Sequence, residues 1–443
     1  MYITMKKTLT TFFIILLTLS LQAQHTISGT FSPAEAYTWL IVYRLKPGTQ
    51  VYVADTSIKG GKFSLTMPKD AVSGTYRMVY AVPQEEFYFD IIYDGKEDIE
   101  LSFNSVDGAR YTKSKENIIL SEYYISINDA KQKVIDFYVA EKKNKKTYSQ
   151  LTKSLESIQK NYEKESNGLI SNHFVIANKP SIPSKYSTIQ DYIKHKKLNY
   201  FNYVDFKDNI LLSSGFLSDK VTNYVFTALP LEELTHVQTQ AEVIKNIEKT
   251  NYYTLGCSNV FRFNVYYTLW SQAVATDMNA VSDYVYTNFI KVLAKETNNA
   301  EIAKSIETHN RLRIGAPAPE IKLKDGTLST LKNDSIQNYV LVFWSSTCSH
   351  CLKEIPKLHQ TFKENKTTQV IAIGLEDDDV LWKQEIKRLP NFIHVISLEK
   401  WESVYAKTYN INSTPSYFVL DKNKNILVKP ENYDDVVSFL AKK

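Results

Sequence analysis

A continuous apolar strand runs directly into two closely spaced cysteines near the C-terminal end of the chain. The segment from Val340 to Trp344 carries no charged residue, and Cys348 and Cys351 follow it in a Cys-x-x-Cys motif. A strand that is apolar at every position is typical of a sheet covered on both faces. The two thiols are therefore expected at the edge of such a sheet, where a helix begins.

The spacing of the cysteines favours disulfide exchange. Residues three apart on a helix are neighbours, and their Cα atoms lie roughly 5 Å apart, within the roughly 4.4–6.8 Å that a disulfide tolerates. Cys348, at the helix start, meets unpaired N–H groups and the positive end of the helix dipole, which favour the nucleophilic thiolate. Cys351 is expected to be more buried and to act as the resolving thiol.

Three other interpretations are weaker. A zinc site needs a second pair of ligands, and the chain has only one further cysteine, Cys257. The acidic run from Glu376 to Asp379 has the composition of a metal site, but it precedes a predicted helix, where negative charge is favourable. A purely structural disulfide across so short a loop adds little stability. We therefore expect a redox dithiol, with no metal and no cofactor.

The last 130 residues alternate between strands and helices, which indicates βαβ units. A stiff linker, 313–319, precedes them. Strands are predicted at 339–344, 370–374, 392–396, 417–420 and 426–428, and helices at 352–362, 380–387, 401–409 and 434–441.

Several short motifs in this region resemble one family. They are Gly315–Pro319, the Phe343-Trp344 pair before the cysteines, the Cys-x-x-Glu-x-Pro pattern that starts at Cys351, and Ile411–Pro415. On these motifs, residues 314–443 resemble a thioredoxin-fold domain of the TlpA/ResA-like family. The resemblance covers roughly the last third of the chain.

The resemblance implies roles for three further residues. Pro415 would be the cis-proline beside the thiols, and the backbone of Thr414 would pair with an extended substrate segment. Glu354 would take and return the proton of Cys351. Ordinary thioredoxin uses an aspartate on the preceding strand, and Val342 stands in that place here. The alternative for Glu354 is a surface carboxylate paired with a lysine.

Ser349 and His350 fill the variable positions of the motif. A histidine before the second cysteine can stabilise the thiolate of Cys348 and make the disulfide more oxidising. Known proteins of this fold span roughly −270 to −120 mV. The alternative for His350 is an exposed residue without effect on the redox couple.

The N-terminal 23 residues have the pattern of a signal peptide. Lys6 and Lys7 precede 13 mostly apolar residues, too few to span a bilayer as a helix, and residues 21–23 offer a cleavage site. No second long apolar run follows, so stable membrane insertion is not expected. We expect an exported protein, with the periplasm as its compartment.

The rest of the chain predicts two further domains. Residues 24–108 contain short strand candidates separated by turn signals, which favours an antiparallel β-sandwich. Residues 115–310 are poor in glycine and show helical periodicity, which predicts a helical middle domain. The fold class is thus multidomain, with an N-terminal antiparallel β-sandwich, a helical middle and a C-terminal α/β thioredoxin fold over 314–443.

Together these features predict an exported thiol–disulfide oxidoreductase that reduces protein disulfides. It would draw electrons from a membrane or soluble thiol donor. Three alternatives stay open: an oxidase or isomerase of protein disulfides, a thiol peroxidase, and a binding protein whose first two domains dominate. The net charge of +5 and basic clusters without interleaved aromatic residues do not favour nucleic-acid binding.

Overall fold

The computed structural model describes residues 24–141, 143–183 and 185–442. The predicted signal peptide at 1–23 lies outside these residues. The internal contacts divide the chain into two compact units, with the division between Thr297 and Asn298. The domain limits inferred from the sequence stay predictions. Among the described residues, no helix is both long and apolar enough to cross a membrane.

The N-terminal unit begins with two four-stranded β-sheets. Their strands are β1 (Thr26–Ser32), β2 (Trp39–Lys46), β3 (Thr49–Ser57), β4 (Lys62–Thr66), β5 (Gly74–Val79), β6 (Tyr88–Tyr93), β7 (Ile99–Asn104) and β8 (Gly108–Lys113). The strand orders are β4-β1-β7-β8 and β3-β2-β5-β6. Neighbouring strands are antiparallel except β1 and β7, which run parallel.

Side chains from both sheets share one hydrophobic core. Ile27 and Leu101 come from the first sheet, and Leu40, Met78 and Ile91 come from the second. Burial alternates along β4 and β7, because successive side chains of a strand point to opposite faces. The sheets therefore pack face to face as the sandwich predicted from the sequence.

Helices make up the rest of the N-terminal unit. They are α1 (Lys115–Val139), α2 (Lys145–Glu165), α3 (Ser171–Ala177), α4 (Ile189–Leu198), α5 (Asn209–Leu212), α6 (Phe216–Thr227), α7 (His236–Thr254), α8 (Asn259–Ala275), α9 (Asn279–Val285) and α10 (Lys291–Glu296), with a π-helical turn at Tyr286–Ile290. The buried side chain of Asn117 joins α1 to the sandwich, since its amide bonds both the N–H and the carbonyl of Ile92. The predicted helical middle region is confirmed.

The C-terminal unit is built on a five-stranded mixed sheet. Its elements are α11 (Ala300–Leu312), β9 (Lys322–Leu323), β10 (Gly326–Thr327), β11 (Asn338–Trp344), α12 (Cys351–Phe362), β12 (Thr368–Glu376), α13 (Val380–Glu385), β13 (Ile393–Leu398), α14 (Val404–Thr408), β14 (Ser416–Asp421), β15 (Ile426–Val428) and α15 (Tyr433–Ala441). The strand order is β13-β12-β11-β14-β15, with β9 and β10 forming a separate hairpin.

The central strand β11 is buried on both faces. Val340, Val342 and Trp344 pack in a cluster with residues of α12 and α15. Tyr339 and Phe343 point the other way, into a second cluster with residues of α14 and of the β9 segment. This explains why β11 is apolar from Val340 to Trp344, and it confirms the predicted α/β architecture.

Candidate active site

The two cysteines lie where β11 gives way to α12. Cys348 sits in the intervening loop, and Cys351 is the first residue of the helix. The carbonyl of Cys348 already accepts a hydrogen bond from the N–H of Leu352 at 3.0 Å. Cys348 therefore lies just outside the helix, in the turn that leads into it, whereas the sequence predicted it at the helix start.

The cysteines are free thiols held by a short set of hydrogen bonds. The N–H of Cys351 donates to Sγ of Cys348 at 3.2 Å. The thiol of Cys348 in turn donates to the carbonyl of Thr414 at 3.4 Å. The outer sulfur thus touches both the helix terminus and the loop that carries Pro415.

The two thiols differ in acidity. Burial acts to raise the pKa of Cys348, but hydrogen bonds with Cys351 and Thr414 and with the backbone N–H groups of Cys351 and His350 outweigh it, so this pKa lies below its ordinary value. Burial and, to a smaller extent, the hydrogen bond with Cys348 raise the pKa of Cys351 to about 12. At neutral pH the outer thiol is therefore the more readily ionised.

Cys351 is fully buried beside a cavity of about 360 Å³. Trp344 and Ile355 line this cavity with it, and His359 lies on its wall. The inner thiol is therefore shielded from bulk water, which is the physical cause of its raised pKa.

Glu354 is half-buried, one turn further along α12 from Cys351. Its Oε2 accepts hydrogen bonds from the hydroxyl of Tyr417 at 2.8 Å and from the N–H of Tyr433 at 3.2 Å. Burial raises the pKa of Tyr417, and the bond to Glu354 adds to the shift. The carboxylate is therefore held in place by a neutral donor, rather than lying free on the surface.

The Thr414–Pro415 peptide bond is cis. Thr414, Cys348 and Thr347 border a small cavity of about 120 Å³, whose opposite side is formed by Lys400 and Trp401. Trp401 is 47% exposed, which is unusual for so large an apolar side chain. The outer thiol therefore opens onto a surface recess with an apolar rim.

The other two motif residues face solvent. Ser349 and His350 are both exposed. The contribution of His350 to the acidity of Cys348 comes from its backbone N–H.

This region is similar in sequence to known redox proteins. Residues 337–426 match the family model described as thioredoxin-like. The thiol-disulfide oxidoreductase ResA of Bacillus thuringiensis subsp. konkukian (strain 97-27) is 27% identical over 122 residues, which make up 26% of this chain and 69% of that protein.

These residues form a thioredoxin-like domain. The resemblance inferred from the sequence is confirmed, and the chain is a thiol–disulfide oxidoreductase. Two solved structures are also similar. A domain of a possible thiol-disulfide isomerase from Cytophaga hutchinsonii ATCC 33406 is 31% identical and covers 30% of this chain and 92% of its own, with a TM-score of 0.26. The thioredoxin domain of a thiol-disulfide oxidoreductase from Bacteroides vulgatus is 26% identical and covers 30% of this chain and 97% of its own, with a TM-score of 0.25.

The thioredoxin-like domain contains a buried carboxylate that the sequence did not reveal. Glu376 accepts hydrogen bonds from the N–H of Ser346 at 2.6 Å and from the hydroxyls of Ser346 and Ser345 at 3.0 and 3.2 Å. It is only 2% exposed. The sequence pattern predicts Glu376 as one of the charges that precede a helix, whereas in the structure it fastens the loop that carries Cys348.

The remainder of that acidic run behaves as expected at a helix start. Oδ1 of Asp378 accepts a hydrogen bond from the N–H of Val380, the first residue of α13, at 2.9 Å. Asp377 forms an ion pair with Lys400. Within the described parts of the chain, no group of three or more His, Cys, Asp or Glu side chains could hold a metal ion.

Two site features could not be found by spacing alone. Tyr417 lies 63 residues from the carboxylate it binds, and Trp401 reaches the recess from a different loop. Only a weak indication of Tyr417 is present in the sequence. Tyr417 lies two positions after Pro415, at the start of a strand that the resemblance places next to the thiols.

Proposed function

We propose that this chain is an exported thiol–disulfide oxidoreductase that reduces protein disulfides through Cys348 and Cys351. The observation that carries the proposal is the contrast in acidity between the two thiols, one lowered in pKa and the other raised to about 12. A nucleophile that ionises easily and a partner that stays protonated are what a two-step exchange requires.

In the first step the Cys348 thiolate attacks one sulfur of a substrate disulfide. A bond forms between Cys348 and that sulfur, the substrate S–S bond breaks, and the second substrate sulfur leaves as a thiolate that takes up a proton. The product is a mixed disulfide. Cys351 stays protonated in this step because burial disfavours its charged form.

In the second step Cys351 resolves the mixed disulfide. Glu354 accepts the proton of the Cys351 thiol, and the resulting thiolate attacks Sγ of Cys348. The Cys348–Cys351 disulfide forms, and the first substrate sulfur leaves as a thiolate and is protonated. The substrate has gained two electrons and two protons. The hydroxyl of Tyr417 supports this step by holding the carboxylate of Glu354 at 2.8 Å.

The recess beside Cys348 is the proposed substrate-binding surface. The backbone of Thr414 would pair with an extended substrate segment, as in strand addition. Pro415 keeps its loop close to the thiols, and the exposed indole of Trp401 offers apolar contact area. A protein segment around a disulfide suits this open recess.

Each turnover leaves the enzyme oxidised, so a thiol donor must return two electrons. A membrane or soluble dithiol protein in the same compartment would serve this role. His350 contributes to the acidity of Cys348 through its backbone N–H, which helps to set the potential of the couple.

The reduction potential tests the direction of electron flow. The full chain is equilibrated in glutathione and dithiothreitol buffers, and mass spectrometry measures the fraction in which Cys348 and Cys351 form a disulfide. A reductase is expected near the reducing end of the range, about −270 mV, whereas a value near −120 mV would contradict a reductase.

Trapping variants test the division of roles. Cys351→Ala is expected to accumulate a mixed disulfide with a protein disulfide substrate such as insulin, because the resolving thiol is gone. Cys348→Ala is expected to form none. If Cys348→Ala traps substrate as well as Cys351→Ala, the assignment of attacking and resolving thiols is wrong.

Export is tested on the same full chain. Expressed in a Gram-negative host, the protein is expected in the periplasmic fraction with a mature N-terminus at Gln24. Retention in the cytoplasm with residues 1–23 intact would overturn the predicted localisation.

A further inference from the structure

A large cavity lies among the helices of the N-terminal unit. It has a volume of about 570 Å³ and is bordered by α1, α4, α6 and the segment 178–182. This volume lies within the roughly 300–1,000 Å³ typical of small-molecule sites. The thiol chemistry proposed above makes no use of it.

Lysines are the most unusual part of the cavity wall. Five of them line it: Lys131, Lys179, Lys196, Lys197 and Lys220. Aromatic rings, among them Tyr124 and Tyr200, form much of the remaining wall. A basic cavity with apolar walls is an unfavourable arrangement when empty, because like charges in a partly desolvated space repel.

Two of the five lysines are neutralised by carboxylates outside the cavity. Lys179 pairs with Glu163 at 3.0 Å, and Lys197 pairs with Glu242 at 3.3 Å. The other three have no such partner: within the described ranges, no Asp or Glu lies at ion-pair distance from Lys131, Lys196 or Lys220. Three lysines without a carboxylate at ion-pair distance therefore line one cavity: Lys131 and Lys220 are half-buried, and Lys196 is exposed.

Lys220 is positioned by neutral groups alone. Its Nζ donates a hydrogen bond to Oδ1 of Asn178 at 3.4 Å and lies 4.9 Å from the centre of the Tyr200 ring. Burial and, to a smaller extent, the charges of Lys131 and Lys196 lower the pKa of Lys220 to about 7. Burial and Lys196 likewise lower the pKa of Lys131 to about 8.

The acidic residue on the wall, Asp219, offsets only part of this charge, because it is one carboxylate beside three unpaired lysines. Its carboxylate interacts with the neighbouring Arg77–Asp90 ion pair, which is closed at 2.9 Å. Burial and then Asp90 raise the pKa of Asp219 to about 6, while Arg77 opposes them. Asp219 therefore interacts with the edge of the sandwich as well as with Tyr124 on the cavity wall.

We propose that this cavity binds a small organic anion that carries two or more negative charges on a planar or apolar body. The three unpaired lysines supply the positive charge, and the tyrosine rings supply flat apolar surface. The anion would provide the ion-pair partner that Lys131, Lys196 and Lys220 lack. Phosphate, sulfate and carboxylate groups share this chemistry, and the cavity volume limits the ligand to a small molecule.

A series of probes with one aromatic body and increasing charge tests the proposal. Calorimetric titration of the full chain at neutral pH compares naphthalene trisulfonate, naphthalene monosulfonate and neutral naphthol. We expect the trisulfonate to bind at least roughly tenfold more tightly than the monosulfonate, and naphthol more weakly still. Pyrophosphate, which has charge without an aromatic body, is expected to bind more weakly than the trisulfonate. If affinity does not rise with charge, the proposal is wrong.

Lysine variants place the binding within the cavity. Lys196→Met and Lys220→Met are each expected to weaken trisulfonate binding roughly tenfold. Lys194→Met is the matched control, because Lys194 is exposed on the same helix as Lys196 but does not line the cavity. Circular dichroism checks that each variant folds. An equal loss of affinity in Lys194→Met and Lys196→Met would show non-specific attraction and overturn the proposal.

The pH dependence of binding gives a second readout. The charged groups that face Lys220 are Lys131 on α1, Lys179 in the adjoining segment, Lys196 and Lys197 on α4, and Asp219 on α6. An anion favours the charged form of Lys220, so binding takes up protons near pH 7 and weakens above about pH 8. Binding of the trisulfonate to Lys220→Met is expected to take up fewer protons than binding to the unmodified chain. The number of protons is obtained from titrations in two buffers of different ionisation enthalpy. Unchanged proton uptake in this variant would contradict the proposed contact with Lys220.

Discussion

The sulfur of Cys348 accepts a hydrogen bond at 3.2 Å from the backbone N–H of Cys351, three residues further along the chain. This N–H belongs to the first residue of α12, so it is one of the groups that have no partner within the helix. A thiolate accepts such a bond more strongly than a thiol does. The Cys-x-x-Cys spacing therefore brings the two sulfurs together and makes the outer one more acidic through the same backbone group.

The first prediction concerns alkylation of the reduced chain. Cys348 is expected to react with iodoacetamide with a midpoint below pH 9, the ordinary value, because its hydrogen bonds favour the thiolate. Cys351 is expected to react only near pH 12, because burial disfavours its charge. The measurement is the rate of labelling at each cysteine, followed by mass spectrometry over a range of pH.

Cys257 provides an internal control for this experiment. Burial raises its pKa, so it is expected to react more slowly than Cys348 at neutral pH. Equal rates at Cys348 and Cys351 would contradict the proposed roles of the two thiols.

The second prediction concerns the resolving step. Glu354→Gln removes the base for Cys351 and is expected to slow release of a mixed disulfide by roughly 100-fold, while the attack by Cys348 continues at its normal rate. Acid quenching followed by mass spectrometry measures the two steps separately. Glu364→Gln, an exposed glutamate shortly after the same helix, is the control and is expected to leave both steps unchanged.

Tyr417→Phe tests whether the carboxylate must be held in place. Loss of the 2.8 Å hydrogen bond is expected to slow resolution less than Glu354→Gln does, because the N–H of Tyr433 still holds the same oxygen. A slowing of the first step instead would show that Tyr417 acts on Cys348 rather than through Glu354.

Short-range features of this site follow directly from the sequence, whereas the contacts that complete it do not. The apolar run ending at Trp344 predicts a strand covered on both faces, and the Cys-x-x-Cys motif predicts two adjacent thiols. The contact between Glu376 and Ser346 depends instead on the parallel register that pairs Trp344 with Gly374. A single sequence does not specify which residues of two strands lie side by side. From the sequence alone, Glu376 is therefore indistinguishable from the other acidic residues that precede the helix.

The third prediction compares the buried carboxylate of Glu376 with the exposed carboxylate of Asp377 beside it. Glu376→Gln places an amide opposite buried donors and is expected to lower the free energy of unfolding of the C-terminal unit by roughly 1–3 kcal/mol. Asp377→Asn breaks only an exposed ion pair with Lys400 and is expected to cost less than about 1 kcal/mol. Urea unfolding monitored by tryptophan fluorescence measures both. Similar losses in the two variants would contradict a special role for Glu376.

The fourth prediction concerns the stability of the N-terminal unit. The ordinary pKa of lysine is 10.5, and burial lowers that of Lys220 to about 7, so between these values the unfolded chain binds more protons than the folded one. The loss of stability caused by burying charged Lys220 is therefore fully present below pH 7 and disappears as the pH rises to 10.5. Lys220→Met is expected to raise the free energy of unfolding by roughly 2–4 kcal/mol at about pH 6, with the gain vanishing near pH 10.5.

The matched control for this prediction is again Lys194→Met, which removes an exposed lysine and is expected to change stability by less than about 0.5 kcal/mol at any pH. Urea unfolding at several pH values, followed by far-ultraviolet circular dichroism, measures both variants. The difference between them isolates Lys220 from every other group that titrates, because those groups are common to the two proteins. A constant difference across the pH range would mean that Lys220 keeps its ordinary pKa in the folded chain, and that its charge is already compensated without a bound anion.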